Sequence, residues 1–380
     1  MSYSNFKIIK AETKSQRKMF VKFPWQVYKD DSNWVPPLIK NQLSRLDPDQ
    51  SPFFSQGEAE LYMAIRDGRV VGTIVPWINF KSNDYLNEKN AGFGFFEVLN
   101  DYETASALLT TACDWARQRG ATLIRGPLYF SPQESPGVVV KGFSIPPVPM
   151  IGYSPPYYSE FLKRFGFRKH RDAFAYRVEL TPFKNDLNNL PPKLLRVAQA
   201  VQKRYKVKIR NILLDDWDDE LKFAFHIFNE ALGYQREGVP MEEAEFIKIA
   251  SEFRGIIDPK LVFFAEVDSQ PIGFYAALPN VNEVLMQLNG RVFPFGWVKL
   301  IRSSKYITMA STKILGVLEQ YRNKGIDALF YVKIAEELIN RGHEWIDYSL
   351  VAEENEMANR LVQRLGGKIY KICRTYKMKL

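Results

Sequence analysis

A chain of 380 residues, 46% apolar and 14% aromatic, has enough material for two cores, which excludes a disordered or low-complexity protein. Its formal charge of +9 is spread over both halves and suits anions of several kinds, from phosphorylated cofactors to nucleic acid and anionic lipid, without choosing among them. Cysteines without CxxC spacing (Cys113, Cys373), histidines without paired spacing (His170, His226, His343) and no apolar run of roughly 18 residues exclude a disulfide scaffold, a metal site and a membrane span; a cytoplasmic setting fits.

In chain order, "NFKIIKAE" reads as a strand and "TKSQRKMFVKFPWQVY" as an amphipathic helix. "ELYMAIRDGRVVGTIVPW" (Glu60 to Trp77) follows as strand, tight turn and strand. "GFGFFEVLNDYET" then brings a strand into an acidic turn with Glu97, Asp101 and Glu103, and a long helix, "ETASALLTTACDWARQRGA", ends in Arg-Gly. A loop rich in proline and aromatics, Gly126 to Tyr158, is too apolar for disorder and too broken for regular structure, so it is expected to pack at the cleft between halves or to cover a sheet edge. "EFLKRFGFRKHRDAFAYRVEL" (Glu160 to Leu180) gives a short helix, a glycine stop and a closing strand.

The proline-rich "TPFKNDLNNLPPKLL" (Thr181 to Leu195) reads as a linker, and "KRYKVKIR" (Lys203 to Arg210) alternates like a half-exposed strand. From there the order repeats. "KVKIRNILL" and "DWDDELKFAFHIFNEAL" are a strand and a helix, and "LVFFAEVDSQPIGFYAAL" (Leu261 to Leu278) is a hairpin whose Gly273 answers Gly72. A long helix again ends in Arg-Gly, and "NRLVQRLGGKIYKICRTYKMKL" again gives helix, glycine and strand. Two tandem domains follow, 1–185 and 186–380, each an α/β fold around a mixed sheet.

The halves differ at their central turns. "GVLEQYRNKGIDALF" (Gly316 to Phe330) runs a strand into a basic turn with one glycine and then a helix, so free backbone N–H groups and the positive helix end favour an anion, most often phosphate. The acidic turn of the first half is a poor phosphate cradle and marks that half as a degenerate copy that shapes the substrate cleft.

This element order, the RNKG turn and the glycine-stopped "LVQRLGG" resemble the GNAT superfamily of acyl-CoA-dependent N-acyltransferases, here as a tandem pair. The resemblance implies an N-acyltransferase that takes acetyl-CoA or a longer acyl-CoA as co-substrate and uses no metal. It implies that Leu315, Gly316 and Val317 line the pantetheine arm and that the turn binds the pyrophosphate. The superfamily pattern Arg/Gln-x-x-Gly-x-Gly/Ala falls on Arg322, Gly325 and Asp327, with Asp327 where a small residue is usual. Backbone N–H groups from Asn323 through Gly325 and Ile326 to Asp327 would take the phosphate, helped by Arg322 and Lys324, provided that the Asp327 carboxylate faces solvent.

In "EWIDYSLVAEENEMANRL" strand alternation sends Asp347 and Ser349 to one face and Tyr348 to the other. An attacking amine must lose a proton and the leaving thiolate must gain one. Glu353 is the candidate base, with Asp347 beside it, Tyr348 the candidate acid and Asn355 a hydrogen-bonding group for cofactor or substrate; acidic residues before a helix also serve as caps.

The second-half insertion "GRVFPFGWVKLIRSSKYI" (Gly290 to Ile307) sets Phe293, Phe295 and Trp297 beside Lys299, Arg302 and Lys305, as a membrane-surface or long-chain-binding element would. Together with "WIDYSLVAEEN" it resembles the bacterial ceramide synthases, which implies a small-molecule or lipid amine, sphingoid in kind, and peripheral membrane contact. Aminoacyl-tRNA-dependent peptide-bridge transferases and a non-catalytic binding protein on the same fold are the rival readings; the former lack support in any long helical arm, and nucleic acid is not an expected partner.

Overall fold

A computed structural model describes residues 6–130, 137–183, 186–232, 241–291 and 307–380. The chain forms two compact units that are not contiguous in sequence: the first takes the chain up to Phe174, the stretch from Asn282 and the C-terminal Tyr370–Leu380, and the second takes Ala175–Val281 and the stretch up to Ile369.

In the first unit β1 (Phe6–Lys10) leads to the helices α1 (Lys14–Lys22), α2 (Pro24–Val27) and α3 (Ile39–Arg45). Thr13 starts α1 through a capping box with Gln16. Then come β2 (Gly57–Ala59), β3 (Tyr62–Arg66), β4 (Arg69–Asn79), α4 (Phe80–Leu86), β5 (Asn90–Val98), α5 (Tyr102–Gln118), β6 (Leu123–Gly126), β7 (Val138–Lys141), α6 (Tyr157–Phe165) and β8 (Arg168–Glu179). The sheet order is β1-β3-β4-β5-β6-β14, where β14 is the chain's last strand, Lys368–Lys379. Pairing is antiparallel except between β5 and β6. α5 buries Leu108, Ala112, Trp115 and Ala116 at helical spacing against one face, and α1 to α3 cover a second core around Met63, Val75, Trp77 and Phe95.

In the second unit α7 (Pro192–Tyr205) precedes β9 (Lys208–Asn211), α8 (Trp217–Leu232), α9 (Glu243–Phe253), β10 (Val262–Val267) and β11 (Gln270–Pro279). After the short α10 (Asn282–Leu285), which belongs to the first unit, come β12 (Met309–Val317), α11 (Ile326–Asn340), β13 (Trp345–Ala352) and α12 (Glu356–Arg364). The order here is β8-β13-β12-β11-β10-β9, with Ala175–Glu179 of β8 inside this unit.

Gly72 pairs with Val98 and Gly273 with Val317, so the hairpin correspondence read from the sequence holds in the register. Both central strands also carry one residue in excess over their antiparallel partner, Phe95 in β5 and Lys313 in β12. Three expectations change. Each half's last strand serves the other unit's sheet: β14 pairs with β6, Tyr376 opposite Gly126. The proline-rich loop does contain regular structure, because β7 pairs with β14, and Lys203–Tyr205 of the supposed strand are the last turn of α7. No described helix is long and apolar enough to cross a membrane.

Candidate active site

The second unit opens its sheet at one place. β12 and β13 pair in parallel from Met309 opposite Trp345 to Thr312 opposite Tyr348, after which no pairing follows, while β12 stays paired to β11 as far as Val317. Leu315, Gly316 and Val317 therefore continue past the point where the two parallel strands part. Gly316 is glycine for lack of space: a Cβ there would lie 3.0 Å from Ala231 and 3.3 Å from Ile227 of α8.

Beyond β12 the chain makes a helical turn at Glu319–Tyr321 and enters α11 through Asn323 and Gly325, both at positive φ (58° and 82°). Gly325 meets both conditions that demand glycine, since a Cβ would also lie 2.7 Å from Val197 of α7. The backbone N–H groups of Asn323, Lys324 and Gly325 have no acceptor among the described residues. Ile326 is buried as the first residue of the helix.

The side chains of the turn are engaged with protein. Arg322 donates from Nε to the Val317 carbonyl (3.2 Å) and from Nη2 to the Glu230 carbonyl (2.7 Å), and the Glu230 carboxylate accepts from the Glu319 N–H (2.7 Å). The Lys324 ammonium lies over the rings of Tyr321 (5.0 Å) and Tyr205 (5.3 Å). Asp327, the second residue of the helix, is half-buried; burial raises its pKa, and the nearby backbone N–H groups of Ala328 and of Asp327 itself act against that rise.

On one face of the parting strands lies a buried polar cluster. Asp347, fully buried, accepts from the hydroxyls of Ser311 and Ser349, the latter at 2.5 Å. The Lys313 ammonium stands 3.1 Å from Ser349 Oγ and 4.0 Å from the Asp347 carboxylate, and burial lowers it to about 8 against the pull of Asp347. Tyr348 points to the opposite face, against Tyr331 of α11 at 5.7 Å between ring centres. There Tyr275 and Thr312 share a hydrogen bond of 2.6 Å, and burial holds the phenols of Tyr275, Tyr331 and Tyr348 well above the ordinary tyrosine range.

Glu353 lies half-buried in the turn between β13 and α12, and Asn355 caps α12 by accepting from Ala358 N–H at 3.1 Å. Buried Asn359 ties this turn down: its amide donates to the carbonyls of Ala352 (2.9 Å), Asn355 (2.9 Å) and Glu353 (3.3 Å), and its oxygen accepts from Tyr176 (2.7 Å). The fold thus gathers Asp347 with Ser311, Lys313 and Ser349, and sets Tyr348 apart from them. Sequence reading missed Lys313 and Asn359. A lysine in the apolar run "MASTKILGV" was the signal for the first; the second meets Tyr176 from 183 positions away, which no local pattern reveals.

The first half has the same parting of strands without the same turn. β5 and β6 pair only as far as Gly92 opposite Arg125. Asp101 then caps α5 with its own carboxylate, accepting from Glu103 N–H (3.0 Å) and Thr104 N–H (3.4 Å), while Arg66 pairs with it at 2.8 Å. The aromatic and basic residues from Phe293 to Lys305 lie outside the described residues.

Solved structures share this architecture over their whole length. A tandem GNAT protein from the clavulanic acid biosynthesis pathway covers 98% of this chain and 98% of its own with a TM-score of 0.59 at 12% identity. A GCN5-related N-acetyltransferase from Sphaerobacter thermophilus covers 99% and 96% with a TM-score of 0.55, also at 12% identity. Two parted sheets in tandem and these neighbours define the fold as that of the tandem GNAT proteins. No family model matches the chain. It is 29% identical over 376 residues to protein YghO of Escherichia coli, covering 97% of this chain and 94% of that protein. It is 30% identical over 387 positions to the bacterial ceramide synthase of Caulobacter vibrioides, covering 99% and 98%. The chain belongs to the family of that bacterial ceramide synthase.

Proposed function

We propose that the second unit transfers an acyl group from an acyl-CoA thioester to the primary amine of a long-chain, sphingoid acceptor. The observation that carries this reading is the combination of a parted central strand and three N–H groups, of Asn323, Lys324 and Gly325, that have no acceptor among the described residues at the turn that follows it. Amide groups of an extended pantetheine arm would bond the strand edge at Leu315–Val317, and the pyrophosphate would take the free N–H groups at the helix end. Arg322 positions the turn, Lys324 adds positive charge, and Ile326 and Asp327 anchor the helix start.

In the reaction the amine nitrogen attacks the thioester carbonyl carbon, the C–S bond breaks, the amine gives up a proton and the thiolate receives one. Glu353 is the proposed proton acceptor. Tyr348, whose phenol stays protonated, is the proposed donor to sulfur, and Asp347 with Ser349 and Lys313 fixes the β13 face beside the thioester. Asn355, already a helix cap, offers its amide N–H to cofactor or substrate. Family membership with a protein named for ceramide synthesis, together with the aromatic and basic composition of Phe293 to Lys305, supports the lipid acceptor and contact with a membrane surface.

The test is release of free CoA thiol across a chain-length series of acyl-CoAs and amines, with and without anionic vesicles and with aminoacyl-tRNA as a rival donor. Each buried methylene contributes about 0.8 kcal/mol, so four more carbons should tighten binding by about 3 kcal/mol before ordering costs. Acetyl-CoA matching palmitoyl-CoA, and small hydrophilic amines matching sphingoid ones, would remove the lipid acceptor and leave the transferase.

A further inference from the structure

Glu97 is the next-to-last residue of β5 in the first unit, and the transfer reaction proposed above does not use it. Its Oε2 accepts from two phenols, Tyr158 at 2.7 Å and Tyr28 at 2.9 Å. Among the described residues its other oxygen has no hydrogen-bond partner, and no lysine or arginine pairs with it. Both tyrosines are held rigidly. The Tyr28 ring stacks on Trp34 (4.9 Å, 14° between planes) and leans on Tyr153 (5.9 Å). Tyr158 packs against Phe96 and Tyr157, both at 5.2 Å, and its oxygen accepts from Val98 N–H at 2.8 Å.

A carboxylate withdrawn from water and served only by neutral donors lacks the counter-charge that such groups usually have. Burial accordingly raises Glu97 to about 7, and the two phenols offset that only in part. Tyr28 and Tyr158 meet the carboxylate through their hydroxyls, and the rings of Trp34, Phe96, Tyr153 and Tyr157 pack around those two phenols, so the surroundings are apolar and without a counter-charge. A carboxylate with two phenol donors on one oxygen, none on the other and aromatic packing behind those donors is thus complementary to an ammonium group that brings its own apolar tail.

The same geometry argues against a second transfer site. Val98, the strand end in register with Val317, has its C=O occupied by the Tyr157 hydroxyl (2.9 Å) and its N–H by Tyr158, and Asp101 takes the helix N–H groups. Glu97 itself pairs with Thr73 as Gly316 pairs with Phe274, so an acid stands where the second unit has the glycine of its strand edge. We propose that the first unit has exchanged its acyl-CoA groove for a binding site for a primary alkylammonium group, with Glu97 as the charge partner and Tyr28 and Tyr158 as its positioning residues. The site requires no acyl-CoA and does not depend on the transfer reaction.

The probe is hexylammonium, titrated calorimetrically into the full-length protein without CoA, with 1-hexanol as the neutral control. Hexylammonium should bind wild type at least about tenfold more tightly than Glu97→Gln, as loss of a charge-assisted hydrogen bond implies, and hexanol should not distinguish the two. Among the described residues the titratable groups facing Glu97 are Tyr28 after α2 and Tyr157 and Tyr158 of α6, all neutral across this range; behind Tyr28, Tyr153 bonds Asp31 (2.8 Å) and covers Lys371. Affinity should therefore fall as pH drops through 7 and Glu97 takes up a proton, a readout that survives if the variant does not fold. Glu353→Gln should bind the probe as wild type does. Equal binding by Glu97→Gln, a flat pH profile or hexanol binding as well as the amine would overturn the site, and so would loss of binding only in Glu353→Gln, which would place the ammonium in the second unit and leave the transfer reading intact.

Discussion

Lys371 shows how one buried cation organises its surroundings. It has no exposed surface, donates to the carbonyls of Gly142 (2.7 Å) and Ile145 (2.8 Å), and so pins the proline-rich loop to β14. Burial lowers it to about 8. The unfolded chain, with an ordinary lysine near 10.4, binds the proton more tightly, so the group's contribution to stability rises between about pH 8 and about pH 10 and is least favourable below 8. Wild type should gain thermal stability relative to Lys371→Met over that window; parallel curves would mean that the lysine is not desolvated. At Glu353 the competing roles are base and turn residue. Glu353→Gln should cut turnover roughly 100-fold with little change in melting temperature, whereas Asn359→Ala, which frees three carbonyls, should destabilise by about 1–3 kcal/mol. Equal losses of stability and activity in Glu353→Gln would make it structural.

Among the elements, the turn into α11 concentrates most of the chemistry and most of the surprise. Gly325→Glu adds a side chain at positive φ against Val197 and a negative charge beside the free N–H groups, so CoA binding measured by calorimetry should vanish in protein that remains folded by circular dichroism. Unchanged affinity would move the cofactor site elsewhere. The glycine and the strand-to-helix junction were legible because local chemistry dictates them, as it does the Gly72 and Gly273 hairpins and the apolar stripe of α5. α7, hidden behind two prolines that read as a linker, has Pro192 at the helix's first position, where a missing N–H costs nothing. Lys313 was passed over because its partners, Ser349 and Asp347, come from a strand that sequence periodicity orients but does not align in register.

At the scale of the molecule, the exchanged strands are the feature that no periodicity encodes. β14 and the closing strand of the first half have the same local pattern, and only long-range pairing decides which sheet each completes. A fragment ending at residue 185 lacks the partner of β6 and should be insoluble or unfolded, with added Lys368–Leu380 peptide raising its solubility; dispersed amide signals from the fragment alone would show that the first unit closes without β14.

Synthesis imposes a timetable on this arrangement. Gly126 leaves the ribosome about 250 residues before Tyr376, the strand residue it faces, and at about 5–20 residues per second that interval is roughly 10 to 50 seconds. Throughout it the β6 edge has no β14 beside it, although β5 and the helices over it are already made. The sheet of the first half is therefore completed only at the end of synthesis, by a strand made after everything else it touches.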